Sequence, residues 1–141
     1  MAAQYARHRL ARSGLHRVAV DSAGTLGIEG EPASREAIQV LREAGLDLSG
    51  HRSRGVRDTD LRTADLVIVM ELAHLEAIER SFPWAAVPRC LLRAYEAGPE
   101  PAEGAPDLED PIGRPIESYR SCFESIRRSV DHLVLDLKHR P

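Results

Sequence analysis

The chain has 141 residues, 43% of them hydrophobic and 29% charged, with a formal net charge of -3. That is one domain's worth of chain with room for a substantial core, so a single domain over residues 1–141 is expected. A slightly acidic balance with no basic block argues against nucleic acid or an anionic membrane as the main partner, and the few aromatics weaken a base-stacking role. No apolar run approaches a bilayer span and no signal-peptide core is present. Two cysteines, Cys90 and Cys122, are too few and too far apart for a disulfide framework or a zinc site, and the six histidines lack ligand spacing. No metal and no organic cofactor is implied, and the expected setting is cytoplasmic and reducing.

In chain order, the first segment carries Arg7, Arg9, Arg12 and Arg17 and no acid, a composition shared with transit peptides. Ala2, Ala6 and Leu10 on one stripe, with Gly14 as a stop signal, favour a helix over 2–13. Residues 17–22 read as a short strand leading into a glycine-rich loop. A helix is predicted over 32–45, entered at Pro32, with Ala37, Ile38 and Leu41 on one face and Gly45 ending it. A polar connection over 46–53 and a helical turn over 58–63 follow. The unbroken apolar run at 65–70 is the clearest strand, of the kind buried on both faces of a parallel sheet. Residues 71–80 read as a helix stopped by Pro83, residues 87–92 as a strand, and the Gly/Pro-rich 97–106 as a loop. From Ile116 to Leu137, apolar residues at helical spacing (Tyr119, Phe123, Ile126, Val130, Leu133 and Leu137) predict a long last helix. Strands alternating with helices point to an α/β domain with a parallel sheet.

Between the loop and that helix stands Asp110-Pro111-Ile112-Gly113-Arg114-Pro115. Pro111 biases Asp110 toward an extended backbone, which projects a carboxyl group from a loop tip where it can act as a general acid. The plainer alternative is a surface turn, for which Asp, Pro and Gly are common residues.

Five pieces taken together decide between these readings: Met1-Ala2 opening a helix, Val20-Asp21-Ser22-Ala23-Gly24-Thr25, the 46–53 stretch ending His51-Arg52-Ser53, the strand Leu66-Val67-Ile68-Val69-Met70, and Asp110-Pro111. In this order they resemble the low-molecular-weight protein-tyrosine phosphatases, whose fold also hosts arsenate reductases. The resemblance covers the whole chain and implies a three-layer α/β fold around a four-stranded parallel sheet. It also implies a cysteine phosphoenzyme: a thiolate in a Cys-x5-Arg-Ser loop attacks phosphorus, and the loop's N–H groups, the arginine and a helix N-terminus hold the phosphate. Asp110 matches the general acid that protonates the leaving oxygen. Ser22 and His51 match positions that hydrogen-bond to the phosphate loop. Leu26, Ile28 and Ile112 are candidate pocket-wall residues, with ordinary core or surface roles as the alternative for Leu26 and Ile28. The implied partner is a phosphorylated protein or a small phosphoester.

The sequence departs from the family at the nucleophile. Six positions after Cys90 stands Glu96, and Cys122 precedes Arg128 at the formal spacing but without glycine and inside the predicted last helix, where it could not wrap a phosphate. Met1-Ala2 falls on the family's Met-Ala just after the phosphate loop, so the chain as written is expected to lack the central first strand and the nucleophile. Four or five buried apolar side chains at about 1.5–3 kcal/mol each are worth about 6–15 kcal/mol, as much as a typical domain's stability of about 5–15 kcal/mol. The expectation is therefore a phosphomonoesterase domain, truncated at its N-terminus and inactive as written. The alternatives are a non-catalytic phosphatase-like binding module, and an arsenate reductase, which would need further cysteines to relay a disulfide.

Overall fold

The sheet's two faces explain the architecture. In a computed structural model that describes residues 1–140, β1 (Val67–Val69) pairs in parallel with β2 (Arg89–Leu91), Val67 opposite Arg89 and Val69 opposite Leu91. Successive strand side chains point to opposite faces. Val67 and Val69 accordingly join Leu61, Ile78 and Ala85 in a small cluster under α3 (Asp58–Thr63) and α4 (Leu72–Ser81). Ile68 and Met70 turn the other way, into the main core with α1 (Ala2–Arg12), α2 (Arg35–Glu43) and α5 (Ile116–His139). The result is helix, sheet, helix: the three-layer α/β fold expected. A parallel pair requires a crossover, and α4 supplies it.

α5 is the spine of the larger layer. Tyr119, Phe123, Ile126, Val130 and Val134 are buried along one side, as their helical spacing predicts. Tyr5 and Leu10 of α1 and Val40 and Leu41 of α2 close over them. The Tyr5 and Phe123 rings meet edge to face at 5.6 Å, and the Tyr5 hydroxyl donates to Asp131 Oδ1 at 2.9 Å.

Three sequence expectations are corrected. Residues 17–22 form no strand: no strand among the described residues lies alongside them, and the Val20 carbonyl is taken instead by the Arg7 Nε–H at 3.0 Å. The sheet therefore has two strands among the described residues, short of the four of the expected type. The second helix starts at Arg35, not at Pro32, because Ser34 caps it by accepting the Ala37 N–H at 3.3 Å. Pro32 lies outside, in an isolated antiparallel bridge to Arg52. The strand read over 87–92 shortens to β2, because Leu92–Tyr95 winds into a 3-10 turn.

That turn is fastened to α5 by polar groups. Tyr95 is fully buried, its hydroxyl donates to Asp136 Oδ2 at 3.0 Å, and its carbonyl meets His132 Nδ1 at 2.8 Å. The Glu96 carboxylate accepts from Ser125 Oγ at 2.9 Å and from Arg128 Nη2 at 2.6 Å, and pairs with Arg93 Nε. Burial pushes the Glu96 carboxyl up, but the hydrogen bonds from Arg128, Arg93 and Ser125 outweigh it and hold the pKa at about 2, below its ordinary 4.5. A carboxylate whose folded pKa is depressed contributes stability in full above its ordinary value and loses it as pH falls toward the folded one. Chemical unfolding followed from neutral pH down through 4.5 to about 2 should show a fall that Glu96→Gln flattens. The same acid dependence in parent and variant would contradict this assignment.

Candidate active site

The Asp-Pro loop crosses the carboxyl end of β1, where open α/β sheets place their ligands. The buried Leu108 donates its N–H to the Met70 carbonyl at 2.8 Å, just past the end of the strand. One residue earlier, Asp107 Oδ1 accepts the Leu72 N–H at 2.8 Å and so caps the start of α4. Asp110 follows on the exposed tip, where its Oδ1 accepts the Ile112 N–H at 3.0 Å in an Asx turn. Pro111 is buried beneath it. Gly113 takes φ 74°, closed by the Arg114 N–H to the Pro111 carbonyl at 2.9 Å, and Pro115 then leads into α5. The loop is thus a surface turn with the Asp110 carboxylate at its exposed tip.

The loop shares an open groove with Cys122. Cys122, on the second turn of α5, packs against the same core as Met1 and Ala2. Burial pushes its thiol up to about 11, and the Asp110 carboxylate adds to the shift while the Met1 amino group opposes it. On the other side, burial lowers the His51 imidazole below its ordinary 6.5, and the positive charges of the Met1 amino group, Arg7 and Arg52 lower it further. His51 is therefore neutral at pH 7 and half-buried. Asp110 and Cys122 line one open groove, and the charge at the opening of α1 acts on both Cys122 and His51. A helix start carries free N–H groups and a dipole that favour an anion.

Ser22 is tied to Asp21, not to Asp110 or Cys122. Its N–H donates to Asp21 Oδ1 at 2.8 Å, and Asp21 Oδ2 accepts Arg54 Nη2 at 2.8 Å. Arg54 is fixed in turn by both Asp60 oxygens, at 2.7 and 3.1 Å, so loop 21–31 is held to α3. The loop is also zipped onto 53–56: Gly24 N–H to the Arg54 carbonyl, Val56 N–H to the Gly24 carbonyl, and Gly30 N–H to the Ser53 carbonyl. Gly55 permits the approach, since a side chain there would come within 3.0 Å of the Gly27 Cα. Leu26 and Ile28 at the loop tip are 84% and 52% exposed and Ile112 is 72% exposed, so none is a core residue. Arg7, Arg54 and Arg93 were not singled out from the sequence. Their roles depend on partners distant along the chain, and an arginine among nineteen basic residues carries no local signal.

Neither cysteine is set up as a nucleophile. Cys122 and Arg128 both lie within the continuous α5, so their formal Cys-x5-Arg spacing cannot form a loop. Cys90, on β2, is likewise held up by burial. Among the described residues no group of histidines, cysteines and acids could hold a metal ion.

Residues 1–140 match the family model described as low molecular weight phosphotyrosine protein phosphatase. The chain belongs to this family. It is 33% identical over 121 residues, covering 86% of the chain and 78% of the relative, to a protein-arginine-phosphatase of Geobacillus stearothermophilus. Among solved structures, a low molecular weight protein tyrosine phosphatase from T. tengcongensis superposes with a TM-score of 0.83 at 31% identity, covering 95% of this chain and 87% of that one. A mutant YwlE arginine phosphatase with a phosphorylated active site serine superposes with a TM-score of 0.87 at 25% identity, covering 98% and 86%. Relatives of this chain thus include enzymes named for phosphotyrosine and for phosphoarginine, and no helix among its described residues is long and apolar enough to cross a membrane.

The electrostatic link between Asp110 and Cys122 is open to measurement. In a Cys90→Ser background, iodoacetamide alkylation of Cys122 should be slow at neutral pH and faster in Asp110→Asn, because removing the carboxylate charge lowers the thiol pKa. Unchanged or slower alkylation would show that Asp110 does not face this thiol.

Proposed function

We propose that this domain, completed by a Cys-x5-Arg loop ahead of Met1, hydrolyses phosphomonoesters or phosphoarginine on proteins through a cysteine phosphoenzyme, and that the 141 residues alone do not turn over substrate. What supports the reading is the Asp110 carboxyl group on a pinned loop that shares an open groove with Cys122, in a chain matched to the phosphatase family over its described length.

In this reading the thiolate forms a bond to phosphorus as the bond from phosphorus to the leaving tyrosine oxygen or arginine nitrogen breaks, and Asp110 supplies the proton that the leaving atom takes up. Water then attacks the phosphocysteine, Asp110 accepts its proton, and phosphate and thiolate are released. The α1 N–H groups face the phosphoryl oxygens, and neutral His51 and the Ser22 segment brace the loop that wraps them. The phosphorylated mutant of the similar arginine phosphatase supports a site that receives a phosphoryl group. Pro111 fixes the turn. Leu26, Ile28 and Ile112 form an aliphatic rim, which gives a phosphotyrosine ring no aromatic to stack on and accommodates a phosphoarginine side chain equally well. No metal or cofactor takes part. A cytoplasmic setting belongs to the same reading and rests on two unpaired cysteines.

The test is to place a strand and a Cys-x5-Arg-Ser segment from a family member before Met1 and assay aryl phosphates and phosphoarginine. Turnover is expected, with Asp110→Asn lowering it by about 10²–10⁴, the usual range for a positioned general acid. A folded protein of this form that hydrolyses neither substrate would overturn the proposal. So would turnover by the unextended chain, since the nucleophile would then lie elsewhere.

A further inference from the structure

We propose that Arg93 is a positioning residue for Asp110, a strut that fixes the height of the Asp-Pro loop by tying it to α5 through Glu96. The inference rests on the phosphatase reading for its catalytic consequence, and on geometry alone for the strut.

Among the described residues Asp110 makes only a bond within its own turn, so its position is set by whatever holds the residues around it. Pro111 is buried, and the approach to Asp110 is held at three points within two residues. The Leu108 N–H reaches Met70, the Asp107 carboxylate caps Leu72, and the Asp107 carbonyl accepts Arg93 Nη1 at 3.1 Å. The first two tie the loop to the end of β1 and the start of α4, elements adjacent along the chain. Of the three, the Arg93 bond is the one that ties it toward the opposite helical layer, ahead of the point where the chain itself enters α5. Its Nε pairs with Glu96 Oε2, while Glu96 Oε1 accepts both Ser125 Oγ and Arg128 Nη2 from α5. The strut therefore runs from loop to 3-10 turn to α5, along one wall of an open groove of about 730 Å³ that also contains Asp110 and Cys122.

The fork of the guanidinium is what allows this. Nε and Nη1 point to different partners at once, whereas a lysine ammonium in the same place has one short-range centre and cannot hold a planar pair of bonds. The other cations of the groove are already matched, Arg114 by Glu109 at 3.2 Å and Arg128 by Glu96 at 2.6 Å. The wall is thus a charge-balanced scaffold, with no free guanidinium among these three to draw an anion away from the site.

Two measurements test the strut. On the 141-residue chain, amide hydrogen exchange should speed up several-fold at Leu72 and Leu108 in Arg93→Ala, less in Arg93→Lys, and stay unchanged at Val130 in the middle of α5. Unchanged protection at both loop-linked amides would overturn the proposal. In the form completed with a Cys-x5-Arg segment, Arg93→Ala should lower kcat for phenyl phosphate about tenfold without moving KM. Its kcat/KM on p-nitrophenyl phosphate, which reports only the steps up to phosphocysteine formation, should hold, because a weakly basic leaving oxygen needs little proton donation. An equal loss of kcat/KM on both substrates would mean general damage and overturn the positioning role. If the completed parent hydrolyses neither substrate, the phosphatase reading fails, and the exchange result still decides whether Arg93 holds the loop.

Discussion

The structure depends on the seam between α1 and α5. Tyr5 and Leu10 from one side and Phe123, Ile126 and Val130 from the other are all buried there, and Tyr5 and Arg9 both reach Asp131. Deleting one such side chain down to alanine costs about 2–5 kcal/mol, a large part of a domain's net stability of about 5–15 kcal/mol. The seam does more than hold the layer together. α1 begins, and α5 begins, at the same end of it, so the packing that buries Tyr5 and Phe123 also brings the opening of one helix beside Cys122 near the start of the other.

The loops above the sheet are fixed from other elements. The Asp-Pro loop is stitched to the end of β1 by Leu108, and the 21–31 loop is held to α3 through Arg54, which binds both Asp21 and Asp60. Exposed ion pairs contribute little individually, but Arg54 has only 21% of its side chain exposed and binds two acids, so it acts as a fixed joint between loops rather than as surface decoration. In the proposed reading, a helix start that favours an anion works with the Asp110 carboxyl group on the pinned Asp-Pro turn.

Much of this was legible in the sequence where the signal is local. The apolar spacing of α5 foretold both its length and its buried face, and it also ruled out Cys122 as a loop nucleophile. The apolar run at 65–70 gave β1, and Pro111 gave the shape of the turn. What was not legible is long-range. Val18, Ala19 and Val20 have strand character, but a strand exists only by hydrogen bonding to a neighbour, and no strand among the described residues lies beside them. Pro32 looked like a helix entry, yet the hydroxyl of Ser34 decides where the helix starts. Arg93 and Asp107 are fourteen residues apart and belong to a turn and a loop with no shared periodicity, so nothing in the sequence announces that one supports the other.

The claim that the seam gathers the site at one end can be measured directly by paramagnetic relaxation. A nitroxide on Ile112→Cys, in a background with Cys90 and Cys122 replaced by serine, sits on the exposed side of the Asp-Pro turn. The account predicts that it broadens the amide signals of Ala2 and Ala3 at the opening of α1, while those of Ala11 and Arg12 at the far end stay sharp. Broadening confined to the start of α5, with the first turn of α1 unaffected, would contradict it.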